Sequence, residues 1–244
     1  MASKIKIGVV NYLNTKPLIY GFEQGMMKDE IELIYDYPAK VAASLLNDEI
    51  DIGLVPVAIL PEMTHYNIIG DYCIGSEGAV GSVCIFSEVP LQEIDTILMD
   101  YQSRTSVKLA KVLINDFWKL NPLIKNAGND FLKEIKGNTA ALVIGDRALE
   151  QRKISTYCYD LGLAWKEYTN LPFVYAAWVS KKAFDKKFIE DFDKSNNFGL
   201  QNISKVVALN PYDIFNLNDY YTKYISFNLT DEKRLGLKTF LNKL

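Results

Sequence analysis

Short apolar runs alternate with segments of helical period along most of the chain, and no other feature of the sequence narrows its fold as much. Runs over 4–10, 31–37, 51–57, 67–74, 82–86, 94–100, 139–144 and 173–179 have strand length and are rich in Ile, Val, Leu and aromatics. Between them lie segments with one apolar helical face. Val41, Ala42, Leu45 and Leu46 share such a face within 39–47. Val107, Leu109, Ala110, Leu113, Ile114 and Phe117 supply another between 105 and about 120. Thr15 followed by Pro17 reads as an N-cap and helix start running toward Phe22, and Asp146 opens a helix toward Arg152. Charged helical segments begin at Lys181 and Asp231. Strands that alternate with helices pair largely in parallel and are covered by those helices. Ligands of such sheets gather at the carboxyl ends of the strands, beside loops and helix N-termini. No internal repeat or low-complexity linker interrupts the pattern. If the chain forms two lobes, ordered segments must cross between them, and those near 82–90 and 171–179 carry the turn signals.

The 244 residues are 49% hydrophobic and 23% charged. A chain of this length buries roughly 70–75% of its unfolded surface, so it needs neither disulfide nor structural metal. The net charge of -3 argues against a surface that coats nucleic acid. It leaves room for an anion pocket, because a pocket is a local arrangement of donors. The opening residues do not read as a secretory signal, since the apolar run 5–10 is short and broken by Lys6. No stretch of about 18 apolar residues is present to span a membrane. Cys73, Cys84 and Cys158 lack CxxC spacing and read as buried free thiols of a reducing compartment. The one histidine, His65, sits in the polar stretch PEMTHYN and reads as a solvated loop residue. The expectation is a cytoplasmic protein with a small-molecule ligand and no cofactor, metal, nucleic acid or membrane partner. Its oligomeric state is left open.

Four polar segments each follow an expected strand. NYLNTKP (11–17) offers Asn11, Asn14, Thr15 and Lys16; plain capping and turn formation explain it equally well. GSEGAVGS (75–82) ends at Ser82 and has glycines that could bare backbone N–H groups to an anion, or simply make a turn. DYQSRTSV (100–107) leads into a helix whose N-terminus suits a carboxylate or phosphate. Ser103, Thr105 and Ser106 add hydroxyls there and Arg104 a guanidinium, more than a cap requires. VIGDRA (143–148) places Asp146 at a helix start, as an N-cap or as a carboxylate that touches a substrate hydroxyl. Trp165, Tyr168, Phe173, Tyr175 and Trp178 are mostly core, with one or two available as a wall for a ring-shaped ligand. The residues alone thus describe a cleft that captures a small carboxylate.

VVNYLNTKPLIYGF (9–22), DIGLVPVAIL (51–60), EGAVGSVCIFSEVPL (77–91), SRTSVKLAKVL (103–113), ALVIGDRAL (141–149), YDLGLAWKEYTNLPFVYAAW (159–178) and FNLTDEKRLGLKTF (227–240) together resemble the chorismate dehydratase family of the futalosine route to menaquinone. The resemblance covers nearly the whole chain in order. It implies an α/β, two-lobed fold like type II periplasmic binding proteins, with mixed sheets flanked by helices and a ligand cleft between lobes. Residues 1–86 plus 178–244 would form lobe one and 87–177 lobe two. The implied substrate is chorismate, dehydrated to 3-[(1-carboxyvinyl)oxy]benzoate. Asn14 and Asp146 are the implied catalytic residues, with Asn14 on the ring hydroxyl or a carboxylate and Asp146 orienting the departing hydroxyl. Ser82, Ser103, Arg104, Thr105 and Ser106 would bind the carboxylates. The sister enzyme that forms 1,4-dihydroxy-6-naphthoate shares this plan, but its catalytic histidine lies near the place where this chain has Asp146. A non-catalytic binder of a small carboxylate is the remaining alternative.

Overall fold

The computed structural model describes residues 4–244. The strands are β1 (Ile5–Val10), β2 (Ile31–Asp36), β3 (Ile52–Pro56), β4 (Asn67–Ser76), β5 (Val83–Ser87), β6 (Thr96–Met99), β7 (Leu123–Asn126), β8 (Thr139–Ile144), β9 (Tyr157–Asp160), β10 (Phe173–Ser180) and β11 (Ser226–Asn228). The helices are α1 (Lys16–Glu23), α2 (Pro38–Leu46), α3 (Thr105–Val112), α4 (Asp146–Gln151), α5 (Leu161–Thr169), α6 (Lys186–Gln201), α7 (Ile203–Leu209), α8 (Leu217–Asp219) and α9 (Asp231–Leu241). Two sheets carry the fold. One has the order β11-β4-β10-β3-β1-β2 and the other β7-β6-β8-β5-β9.

Both sheets are mixed, as the family resemblance implies, although the alternation of strands and helices by itself points to mainly parallel pairing. β1, β2 and β3 pair in parallel, as do β6, β7 and β8. β10 runs against β3 and β4, β11 against β4, and β5 against β8 and β9. The reason lies in the connections. β5 and β10 are the first strands entered after the chain crosses from one sheet to the other, so no strand–helix–strand unit within a single sheet sets their direction.

Strand pairing also moves the crossings from where they were expected. The expected boundaries gave 82–86 to lobe one and 173–177 to lobe two. Val83–Ser87 pairs within the second sheet and Phe173–Ser180 within the first. The chain therefore crosses at 77–82 and returns after β9, through α5. The helix expected over 105–120 ends as α3 at Val112 and continues as a π-turn, Leu113–Phe117.

Each sheet buries its apolar strands beneath helices. Trp178 of β10 is fully buried, meets Phe22 and Phe192 edge-on, and donates from Nε1 to Asn196 Oδ1 at 2.9 Å. Helices α1 and α6 approach so closely that a methyl group at Gly21 would collide with the Ser195 carbonyl oxygen. Backbone cannot yield as a side-chain tip does, so Gly21→Ala should cost about 2–3 kcal/mol of stability. Urea unfolding at neutral pH measures it.

Candidate functional site

A cleft opens between the two sheets, with about 660 Å³ of atom-free space including its mouth. Strand ends and the turns after them line it from both lobes. Val10, Tyr12, Asn14, Thr15, Leu54 and Pro56 come from the first lobe; Ser82, Val83, Gln102, Ser103, Thr105, Ser106, Ile144 and Gly145 come from the crossing and the second. Ile74, Tyr175 and Ala176 of β4 and β10 also line it. The cleft thus brings together Asn14, Ser82, Ser103, Thr105 and Ser106, as expected from sequence. Among the described residues, none of its lining side chains carries a formal charge.

Three hydroxyls in this cleft share one arrangement. Tyr220 donates its phenolic hydrogen to Ser82 Oγ at 2.7 Å. The Ser106 amide donates to Ser103 Oγ at 3.0 Å, and the Ala58 amide to Thr105 Oγ1 at 3.2 Å. Each hydroxyl oxygen is therefore already serving as an acceptor, and among the described residues none of the three hydroxyl hydrogens has an acceptor of its own. A hydroxyl has one donor and two acceptor sites, so each of the three keeps its hydrogen, along with one acceptor site, for a ligand. The cleft is built to donate, and its apolar walls strengthen bonds to an anion by excluding water. Tyr12, Tyr175 and Tyr220 stay protonated, because burial raises each above the usual tyrosine pKa. They act as donors rather than bases.

Several bonds tie the lobes together across the cleft. Tyr12 donates to Gln102 Oε1 at 2.9 Å, and Tyr212 to the Asp146 carbonyl at 3.1 Å. Gln102 Oε1 also accepts from Arg147 at 3.0 Å. Arg147 grips the buried Asp100 carboxylate at 2.9 and 2.7 Å, and Asp100 accepts from the Gln102 and Ile144 amides. This network fixes the 100–103 turn that brings Ser103 to the cleft.

Arg104 was expected among the ligand donors but is not in the lining. Its side chain is exposed and pairs with Glu62 at 3.2 Å. It sits at the N-cap of α3 and makes no side-chain cap bond. Asp146 also lies beside the lining rather than in it. Gly145, with φ of 65°, takes the N-cap of α4 and faces the cleft. The Asp146 carboxyl lies instead near the Leu13 amide, with one oxygen buried and unpartnered. Burial raises its pKa above the usual 3.8. A folded-state pKa above the unfolded value means that the native state holds the proton more tightly. The contribution of Asp146 to stability is therefore greatest below about 3.8 and declines as pH rises through the raised value. Asp146→Asn should abolish that decline, which urea unfolding from pH 4 to 7 would measure.

Other expectations need correction. The glycine stretch does not present its amides freely: Asp160 accepts from Val80 at 3.0 Å, from Gly81 at 2.8 Å, and from Gly162 and Leu163. Asp160 caps α5 and clamps the stretch in one move, leaving Ser82 as its polar contribution to the cleft beside the apolar Val80. Thr15 makes no side-chain cap bond; a short 3₁₀ turn, Leu13–Thr15, precedes α1, and Thr15 lines the cleft. Lys16 donates to Asn11 Oδ1 outside the lining. Cys73 and Cys84 are buried but Cys158 is exposed. His65 is exposed, as expected.

Sequence reasoning missed Tyr220 and Gln102. Tyr220 lies far along the chain in a π-turn, and no local pattern announces it. Gln102 stood inside a singled-out segment, but its partner across the cleft is 90 residues away.

A family model described as menaquinone biosynthesis matches residues 5–244. The chain is 23% identical to a chorismate dehydratase of Thermus thermophilus, covering 98% of this chain and 94% of that protein. It is 25% identical to a chorismate dehydratase of Campylobacter jejuni, covering 96% and 95%. A solved protein of Archaeoglobus fulgidus superposes with a TM-score of 0.77 at 15% identity, over 98% of this chain and 96% of that one. An alkanesulfonate-binding protein of Xanthomonas axonopodis, bound to MOPS, gives 0.64 at 9% identity over 98% and 91%. A Candida albicans protein described as having the generic periplasmic binding protein fold gives 0.63 at 13% over 99% and 90%. These structures share the two-lobed α/β fold. With a match that runs from its first strand to its last residue, this chain belongs to the menaquinone-biosynthesis family.

Proposed function

We propose that the protein dehydrates chorismate to 3-[(1-carboxyvinyl)oxy]benzoate and water, as the futalosine route to menaquinone requires. The observation that carries this reading is the convergence of three unspent hydroxyl hydrogens and Asn14 in one apolar, uncharged cleft. Chorismate is a dianion with a conjugated cyclohexadiene ring, and it matches a cleft of donors with apolar walls.

The chemistry follows from the substrate. The conjugated ring carboxylate acidifies the proton on the carbon that bears the enolpyruvyl ether. When that proton leaves, its electron pair enters the ring, the neighbouring hydroxyl departs, and the ring becomes aromatic. The reaction is redox-neutral, and aromatisation drives it. Among the described residues no Asp, Glu, His or Lys lines the cleft, which supports the substrate's own side-chain carboxylate as the base. Ser103, Thr105 and Ser106 hold one carboxylate, and Ser82 the same or the other. Asn14 contacts the ring hydroxyl or a carboxylate. Asp146 acts as a positioning residue through the Leu13–Thr15 turn that carries Asn14, rather than on the departing hydroxyl directly. Lobe closure expels water and fixes this geometry.

Incubation of purified protein with chorismate tests the reading. The expected product is lighter by one water and has a new aromatic absorbance. A thermal shift with chorismate and no product would make the protein a binder. Turnover of a cyclic futalosine derivative instead would make it the sister enzyme.

A further inference from the structure

Outside the cleft, two cysteines and an arginine meet on the face of the second sheet. In the antiparallel pair β5/β9, Cys84 lies opposite Asp160 and Phe86 opposite Cys158, so the two cysteines are diagonal neighbours on one face. Arg152 reaches them from the end of α4. Its Nη1 lies 3.0 Å from Cys158 Sγ and 3.2 Å from Cys84 Sγ. We propose that Cys158 is a reactive thiolate held by Arg152 and Cys84, and thus a modification site for hydroperoxides.

The two sulfurs have different surroundings. Cys84 is fully buried, and its Sγ lies 3.8 Å from the Asp160 carboxylate and 3.6 Å from the Gly81 carbonyl. Burial, with Asp160 beside it, holds its proton on. Cys158 opens to solvent, so its ionised form keeps some water while Arg152 supplies the opposite charge. The Cys84 hydrogen bond, the largest influence, and the Arg152 charge lower the Cys158 pKa; partial burial and Asp160 oppose them. Tyr224 also faces Arg152 and strengthens its charged form. A guanidinium beside an accessible thiol is the setting in which thiolates become nucleophiles. Cys73, fully buried and with its pKa pushed up to about 12, provides an inert internal comparison.

With hydrogen peroxide the Cys158 sulfur attacks one peroxide oxygen. An S–O bond forms and the O–O bond breaks. The sulfur is oxidised by two electrons to a sulfenic acid, and the departing hydroxide takes a solvent proton to become water. The assay treats the whole protein with hydrogen peroxide, traps sulfenic acid with dimedone and reads each cysteine by peptide mass across pH. Cys158 should be trapped at least ~10-fold faster than Cys73 or Cys84 at pH 7, with a rate midpoint below the ordinary thiol pKa of about 8.5. Arg152→Gln should slow trapping at pH 7 about 10-fold and return the midpoint toward about 8.5, while Arg152→Lys keeps most of the rate. A wild-type midpoint at the ordinary thiol value, or equal rates for wild type and Arg152→Gln, would overturn the proposal. The wild-type profile decides even if Arg152→Gln does not fold. No readout depends on turnover of chorismate, so failure here is distinct from failure of the proposed function.

Discussion

Replacement of Asn14 by alanine is expected to lower kcat with chorismate by about 100- to 1,000-fold, the range seen when a donor aimed at developing charge is removed. Asn14 sits half-buried in the turn before α1, at the mouth of the cleft. Its Oδ1 receives only a long 3.4 Å bond from Thr15, so its amide hydrogens remain for the substrate. Because the side chain supports little else, stability should change by no more than about 0.5 kcal/mol. Steady-state kinetics and a thermal unfolding midpoint on the same sample check both halves. Asn14→Asp should be at least as damaging, since it sets a carboxylate against a dianion. Unchanged turnover in Asn14→Ala would remove this residue from the mechanism.

Ser82→Ala should lower kcat/KM by about 10- to 100-fold, the equivalent of one charge-assisted hydrogen bond of about 1.5–3 kcal/mol. The Tyr220 contact adds a sharper expectation. Tyr220 does not line the cleft, yet it occupies the Ser82 oxygen and leaves the Ser82 hydrogen for the ligand. Tyr220→Phe frees Ser82 to turn its hydrogen elsewhere, so it should cost a smaller factor, about 3- to 10-fold. The double variant should be no worse than Ser82→Ala alone, because Tyr220 acts on substrate only through Ser82. If the two losses multiply, Tyr220 has a separate role and the relay fails.

The sequence made the strands of the two lobes legible wherever they run through the core. Val83–Ser87 and Phe173–Ser180 are almost continuously buried and stood out as apolar runs. Leu123–Asn126 and Ser226–Asn228 are short edge strands with exposed positions, and their composition carries little pattern. Strand direction was less legible than strand position, since pairing depends on where the chain crosses. At the site, the surplus of hydroxyls was legible because a cap needs one and 103–106 supplies three, and all three line the cleft. What each hydroxyl does was not readable. The partners that leave its hydrogen free, Tyr220, Ala58 and the Ser106 amide, are set by the fold. Arg104 misled because a guanidinium next to an anion site is a strong local signal, while Glu62, its actual partner, lies 42 residues away.

A crystal structure with 3-[(1-carboxyvinyl)oxy]benzoate bound tests the donor cleft most directly. The carboxylates should lie within hydrogen-bond distance of the Ser82, Ser103 and Thr105 hydroxyls, with Asn14 against the ring substituents and Arg104 still on Glu62. Carboxylates held by Arg104 or a rim lysine, with those three hydroxyls left unpaired, would contradict the account.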